Sequence, residues 1–457
     1  MGLLVTFRSV PMATDRLSPL DASFLAVERP TAHMHVGWVA YFDPPEAGPR
    51  PGFDRLATHI ATRLERAPRW HQRLAEVPLG LHEPVWEDDP GFDPRAHIHE
   101  ARGGTLGPVA EAALSVRLPR DRPLWDMWIA PELEDGRVGI VGKAHHCMVD
   151  GVAALELAAV LLDRTPEGEA TEAPAPPAAL PHTRPSARLA RAAADRAREG
   201  AALVALPVRL ALRPGAALRM GGAIARAAVP RAPMSPLTGV STPDRTLVTA
   251  TRPVDDLRLV RRRWGTTIND AVLAVCAGAL RAFLLRRGDE PGALKAMVPV
   301  DVRGSDDVAG NRITFVYVML PCDEPDPVLR LMRIHRATSQ HKLRGDAEGT
   351  DAALGALALA PRSVRRLAAR AVAGPRMYNV VVSSLPGPSL PVYLAGCRLR
   401  AIHPAVPFAA AHTVSMGMCT VGGDACFGCY ADRTVLPDAA GLAGDIDTAF
   451  DELLSAG

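Results

Sequence analysis

The sequence predicts an α/β protein of two similar-sized halves joined by a long connector. Three observations carry this. A chain of 457 residues exceeds what one core usually holds, and two domains of about 150–220 residues are the expectation. Strand-like alternation and helical spacing of apolar residues occur in both halves. Between them, "TPEGEATEAPAPPAALPH" (165–182) is rich in Pro, Ala and Glu, the composition of a linker. The boundaries read as 12–165 for the first half, 166–240 for the connector and 241–457 for the second half.

In the first half, "DRLATHIATRLERA" (54–67) spaces Leu56, Ile60 and Leu64 as on one helix face. "GRVGIVGKAHH" (136–146) alternates as a strand, and "VAALELAAVLLD" (152–163) reads as a buried helix. In the second half, "TTINDAVLAVCAGALRAFLLRR" (266–287) is a strong helix, with Thr267 and Asp270 forming a capping box at its start. "ALKAMVPVDVR" (293–303), "ITFVYVMLP" (313–321) and "YNVVVSSLPGP" (378–388) read as strands, the last ending in a tight turn. "GLAGDIDTAFDELLSAG" (441–457) closes as an amphipathic helix.

The connector's second part, 184–231, carries ten arginines against Asp195 and Glu199, a local balance of +8 in a chain of net charge +2. Ala, Leu and Val lie between them. Two readings stand: a solvated helical connector, or a basic amphipathic segment on an anionic lipid surface. Pro207, Pro214 and Pro230 are expected to break it.

The small net charge does not announce a nucleic-acid binder. No apolar run approaches the roughly 20 residues of a membrane span, the best candidate being 201–212, and no secretory leader is evident. Gly2 and Thr6 fit a myristoylation pattern by chance, with Met12 a plausible start. Seven scattered cysteines suggest reduced thiols in a cytosolic setting. Cys426 and Cys429 form a CxxC, but in a strand residues three apart point to opposite faces, and no second pair exists for a metal.

The chemistry concentrates in "VGKAHHCMVDG" (141–151). On a strand, Val138, Ile140, Gly142, Ala144 and His146 share one face, and Val141, Lys143 and His145 the other. The two histidines therefore cannot both face one pocket. One is chemical and the other supports, and the alternation does not choose. Metal binding by His146 and Asp150 lacks a third ligand nearby. A neutral imidazole can instead take a proton from an attacking hydroxyl. Asp150 can orient the ring or pair with an arginine, and Gly151 permits a sharp turn into the following helix.

HHxxxDG resembles the active-site motif of coenzyme-A-dependent acyltransferases and peptide-synthetase condensation domains. Further blocks narrow the resemblance to the bacterial wax ester synthase/diacylglycerol acyltransferase family: "LSPLDASFLAVERPTAHMHVG" (17–37), "DRPLWDMWI" (121–129), "TTINDAVLA" (266–274), "VPVDVR" (298–303), "GNRIT" (310–314) and "CFGCYADRTVLPD" (426–438). One departure is visible. Where the family often has Ser-Asn before a Val/Leu-Pro-Gly-Pro turn, this chain has Ser383-Ser384 directly before Leu385-Pro386-Gly387-Pro388, so a role for an Asn side chain is in doubt.

The resemblance implies two chloramphenicol-acetyltransferase-like subdomains with a tunnel between them. It implies long-chain acyl transfer from acyl-CoA, a co-substrate and not a resident cofactor, to diacylglycerol or to a long-chain alcohol. His146 would be the general base acting without an acyl-enzyme, with His145 and Asp150 as organisers. Asn269, near a helix N-terminus, is a candidate for holding substrate or oxyanion, with Asp270 as its structural support. Pro123, Leu124 and Trp125, and Ser383 and Ser384, are candidates for substrate contact, and Arg303 is a candidate partner for Asp150. The expected setting is cytoplasmic and peripheral, on the inner face of a membrane or on lipid inclusions. The competing readings are an acyltransferase using carrier-bound donors and a non-catalytic lipid-surface protein.

Overall fold

The computed structural model describes residues 16–149, 157–168, 183–212, 214–228, 230–301 and 313–456. Two mixed six-stranded sheets, each flanked by helices, form its frame. The strands in chain order are β1 (His35–Asp43), β2 (Gln72–Ala75), β3 (Val85–Asp88), β4 (Ile98–Glu100), β5 (Trp125–Ala130), β6 (Val138–His145), β7 (Arg245–Pro253), β8 (Leu294–Asp301), β9 (Ile313–Leu320), β10 (Val380–Leu385), β11 (Tyr393–Leu394), β12 (Cys397–Ala405), β13 (Val414–Val421) and β14 (Asp424–Asp432). The first sheet runs β11-β12-β1-β6-β5-β4 and the second β7-β14-β13-β10-β8-β9, while β2 and β3 form a separate ribbon. Thus β11 and β12, late in the sequence, complete the first sheet beside β1.

The helices are α1 (Pro19–Val27), α2 (Phe53–Leu64), α3 (Gly107–Leu114), α4 (Pro185–Ala211), α5 (Pro214–Ala228), α6 (Val254–Trp264), α7 (Ile268–Arg286), α8 (Pro327–Arg344), α9 (Asp346–Ala358), α10 (Arg362–Val372) and α11 (Leu442–Ser455). The face of α2 read from its spacing is the buried one: Leu56, Ile60 and Leu64 are sealed against the first sheet. In β6 the alternation sorts side chains between two cores. Val138, Ile140 and Ala144 pack with α2, and Val141 packs with α3. Cys426 and Cys429 likewise lie in different cores, as opposite faces of β14 require.

Two expectations need correction. Pro207 does not break the connector but lies inside α4, whereas Pro214 opens α5. The carbonyl of Leu203, which Pro207 leaves without an amide partner, sits on an exposed stretch where solvent can reach it. The best candidate for a membrane-length apolar element is not 201–212 but α7, which is long and apolar enough to cross a membrane. It is the central helix over the second sheet, with thirteen of its nineteen residues buried. That burial accounts for its composition.

The halves are tied by buried polar contacts. Arg245, 2% exposed, donates to the Thr31 carbonyl (2.5 Å), and its backbone N–H donates to Ser115 Oγ (2.8 Å). Arg362 and Arg365 of α10 both bind Glu83 (2.9 and 2.8 Å).

Candidate active site

Strand β6 stops at His145, and residues 146–148 form a turn. At this point the chain is still held from both sides by residues that lead into β5 and β1. The His145 N–H donates to the Leu124 carbonyl (2.9 Å), and the His146 N–H donates to the Met34 carbonyl (2.9 Å). Met34 adopts the left-handed region, φ 52°, a strained conformation for a side chain of this size and one that clusters at functional sites. The Met148 and Val149 N–H groups close the turn on the His145 carbonyl (2.8 and 3.3 Å).

The turn gives the two histidines different surroundings. His145 is buried. Its Nδ1 accepts the Cys147 N–H (3.1 Å), so the neutral ring carries its proton on Nε2. That Nε2 lies 3.9 Å from Glu28 Oε1. Burial pushes His145 down to about 3, with Glu28 pulling the other way, so it stays neutral at physiological pH. His146 is half-buried, and its ring stacks on Phe24 with centroids 3.7 Å apart and planes 8° apart. Here the structure separates the pair as the alternation could not: one imidazole is sealed in, and the other is half-buried with a face supported by α1.

Behind His145 stands a charged clamp that the sequence reading missed. Arg117 grips both Glu28 oxygens through Nε and Nη2 (3.1 Å each), and Arg120 joins the same carboxylate. Burial works against the charge on Glu28, and the two guanidiniums outweigh it and hold the carboxyl below its ordinary range. The signal was present in the N-terminal block "FLAVERP" and in "SVRLPRDRP", but nothing in their spacing joins positions about ninety residues apart. Cys147, inside the motif, is buried, and burial pushes its thiol well up. It is therefore a poor nucleophile.

Pro123, Leu124 and Trp125 precede and open β5. All three are buried, Leu124 and Trp125 completely. The Trp125 Nε1–H donates to the Trp70 carbonyl (2.8 Å), and its ring stacks on His97 (4.5 Å). Their link to the histidine turn is the Leu124 carbonyl described above.

The second half presents its motif at the start of α7. Gly265 ends α6 in the left-handed region, φ 65°, which glycine adopts without strain. Thr267 then caps α7. Its hydroxyl accepts the Asp270 N–H (3.1 Å), and Asp270 Oδ2 accepts the Thr267 N–H (2.9 Å). Asp270 also accepts from Thr338 Oγ1 (2.6 Å) and from His335 Nδ1 (2.8 Å). Asn269 is the second residue of this helix and half-buried. Ser383 and Ser384 sit on β10, parallel to Gly417 and Met418 of β13. Ser383 is buried and Ser384 half-buried. No hydrogen bond or ion pair joins Asn269 or these serines to the histidine turn among the described residues. Asp150, Gly151 and Arg303 lie outside the described residues. A cavity of about 660 Å³ opens beside Arg55, His59, Arg63 and Asp163, away from the histidine turn.

The architecture is shared with peptide-synthetase condensation domains: the first condensation domain of the CDA synthetase superposes with a TM-score of 0.58 at 14% identity, covering 98% of this chain and 97% of that one. A nearer likeness is the wax ester synthase/diacylglycerol acyltransferase from Marinobacter aquaeolei VT8, with a TM-score of 0.69, 25% identity and coverage of 96% and 98%. The sequence pattern of the wax ester synthase/diacylglycerol acyltransferase catalytic domain matches residues 17–272, and that of the WS/DGAT C-terminal domain matches 309–454. A Mycobacterium tuberculosis protein named as a probable diacylglycerol O-acyltransferase, tgs1, is 31% identical over 464 residues, covering 96% of each chain. With a matching catalytic pattern over more than half its length, this chain belongs to the wax ester synthase/diacylglycerol acyltransferase family.

Proposed function

We propose that the chain transfers a long-chain acyl group from acyl-CoA to diacylglycerol, giving triacylglycerol, and also to long-chain alcohols, giving wax esters. The observation that carries the mechanism is the contrast within the histidine pair: His145 sealed and neutral, His146 half-exposed with one ring face supported. His146 takes the proton of the acceptor hydroxyl as that oxygen attacks the thioester carbonyl. The C–O bond forms, the carbonyl electrons move onto oxygen, and the tetrahedral oxyanion then collapses to expel CoA thiolate, which accepts the proton from the His146 imidazolium. In this reading Asn269, the second residue of α7, donates to substrate or oxyanion with the helix dipole behind it. The raised thiol of Cys147 supports direct transfer without an acyl-enzyme. Asp150 and Arg303 keep their proposed roles as loop organisers, and Gly151 as the turn, and no resident cofactor or metal is required.

The workplace is a lipid surface, cytoplasmic and peripheral, where a water-soluble thioester meets an oil-soluble alcohol. The first part of α4 is held to the protein: Arg188 pairs with Glu87, and His82 and Arg196 both reach Glu199. Towards its end the helix is apolar and exposed: Val204 and Val208, with Leu212 just past it, four residues apart and so on one face, are all more than 60% exposed, and Leu218 and Ile224 of α5 are exposed as well. Arg188, Arg196, Arg198 and Arg226 pair with carboxylates of the chain itself. The local charge thus overstates what reaches a membrane, and the apolar stripe carries more of the contact. Flotation with anionic vesicles tests this: Val204→Asp with Val208→Asp is expected to abolish binding, and unchanged flotation would remove the assignment.

Acyl transfer is tested by CoA release from palmitoyl-CoA with diacylglycerol or hexadecanol, wild type against His146→Ala. Acceptor-dependent release that collapses in the variant is the expected result. A folded wild type releasing CoA with neither acceptor would favour carrier-bound donors, a reading kept open by the condensation-type fold, or a non-catalytic lipid-surface protein.

A further inference from the structure

One short helix addresses both histidines. Helix α1 starts at Ser18, whose hydroxyl accepts the Asp21 N–H (3.0 Å), with Pro19 at its first position. Its last turn presents Phe24 and, four residues on, Glu28, whose own N–H donates to the Phe24 carbonyl (3.1 Å). Residues four apart share a helix face. From that face Phe24 lies flat against the ring of His146 and Glu28 faces Nε2 of His145. The helix is itself held from behind: Arg117 and Arg120 pin Glu28, and Arg370 of α10 reaches the Ala26 carbonyl (3.4 Å).

We propose that Phe24 is a positioning residue for His146: its ring face fixes the imidazole plane so that one edge stays aimed at the acceptor hydroxyl. The proposal rests on the reading of His146 as general base. Its physical basis is the stack itself: the His146 backbone is fixed through Met34, and its half-buried ring lies parallel to the phenyl ring at 3.7 Å. That contact restricts rotation of the imidazole about its side-chain bonds, because turning it out of plane drives its atoms into the phenyl ring. The same face is suited to the imidazolium that forms as the hydroxyl proton is taken, since an aromatic face attracts a cation. Phe24 touches neither substrate nor the proton in flight and acts through His146 alone.

Steady-state kinetics on the full chain with palmitoyl-CoA and diacylglycerol tests this, with thermal unfolding as a fold control. Phe24→Leu keeps apolar bulk but loses the flat face. It is expected to lower kcat about tenfold, with the KM of both substrates within about twofold of wild type, because misaligned catalytic groups cost rate more than binding. Phe24→Tyr, which keeps the face, is expected to restore kcat. Added to His146→Ala, Phe24→Leu is expected to cause no further loss, as a residue acting only through His146 must. Full kcat in Phe24→Leu, or an equal loss in the His146→Ala background, would overturn the proposal while leaving the base assignment standing. Wild-type kcat in His146→Ala alone would overturn both, and that result is read without any Phe24 variant. If Phe24→Leu fails to fold, Phe24→Met makes the same test with a side chain nearer in length.

Discussion

The two motif-bearing corners of the molecule are built on opposite plans. At the start of α7 the polar groups are closed on one another: Asp270 binds the Thr267 N–H, the Thr338 hydroxyl and His335. At the end of β6 one is left open. His145 Nε2 has no hydrogen-bond partner among the described residues, only a carboxylate at 3.9 Å, and the His146 ring is supported on one face. A closed network rigidifies and specifies structure, whereas a buried polar atom without a partner carries a free-energy cost that a fold retains for a reason. The comparison teaches that a motif's letters do not say how its residues are used: Asp270 is closed into the fold as a builder, with Asn269 beside it, while His145 is sealed in with one nitrogen unpaired.

The largest expected effect breaks the comparison at its open end. His146→Ala removes the base and should lower kcat about 10²–10⁴-fold with an unchanged thermal midpoint, read by CoA release and calorimetry together. Loss of fold in step with loss of activity would make the histidine corner a builder too. A second test addresses the clamp. Glu28→Gln keeps shape but removes the charge that Arg117 and Arg120 share, and it should cost about 1–3 kcal/mol, since the two arginines are themselves partly exposed. Urea unfolding reads it, and an unchanged midpoint would reduce the clamp to an ornament of the surface.

Much of this was legible in the sequence, for local reasons. The α7 capping box is a contact between residues three apart, so its letters sit together, and the α2 face and the β6 alternation follow from periods of 3.6 and 2. What was not legible is long-range. Nothing in "VYLAGCRLRAIHPA" says that β12 crosses to pair with β1, with β11 beyond it at the edge. Nothing in Glu28, Arg117 and Arg120 says that one carboxylate meets both guanidiniums beneath His145. The histidine alternation could not rank the pair because it says only that neighbours face opposite sides. What surrounds each ring, Glu28 at His145 and Phe24 at His146, comes from a helix more than a hundred residues earlier. Pro207 inside α4 belongs to the same class, since helix propensity counts its cost without seeing that the turn it interrupts lies on an exposed stretch.

A smaller effect sharpens the closed end. In Asp270→Asn the amide oxygen can keep the Thr267 N–H and His335, while its NH₂ meets the Thr338 hydroxyl, which can turn to accept. The expected loss is about 1 kcal/mol, with kcat retained. The variant also carries a pH signature. Burial opposes the charge on Asp270, and the hydrogen bonds from Thr338, His335 and Thr267 more than offset it, holding its carboxyl below the ordinary range. A depressed carboxyl contributes stability above its unfolded pKa, about 4, and that contribution is lost as pH falls through the folded value. Wild type should therefore lose stability more steeply than Asp270→Asn as pH falls below about 4, measured by thermal midpoints across pH. Parallel curves would mean that the network gains nothing from the charge.

The smallest expected effect on activity concerns Cys147, which lies between the two plans: it is inside the reactive motif but packed as core. Its backbone N–H serves His145, and any residue supplies that. Its thiol is buried and pushed well up, so at neutral pH almost none is the thiolate that a nucleophile needs. Cys147→Ala should keep kcat within about twofold and lose about 1 kcal/mol of stability to the small cavity left behind. Intact-mass analysis of wild type with acyl-CoA and no acceptor should find no covalent acyl adduct. An adduct in wild type that is missing in a folded, inactive Cys147→Ala would replace direct transfer with a two-step route. It would also reverse the division between the corners, because a core residue would then be the reagent and His146 would serve it by activating the thiol.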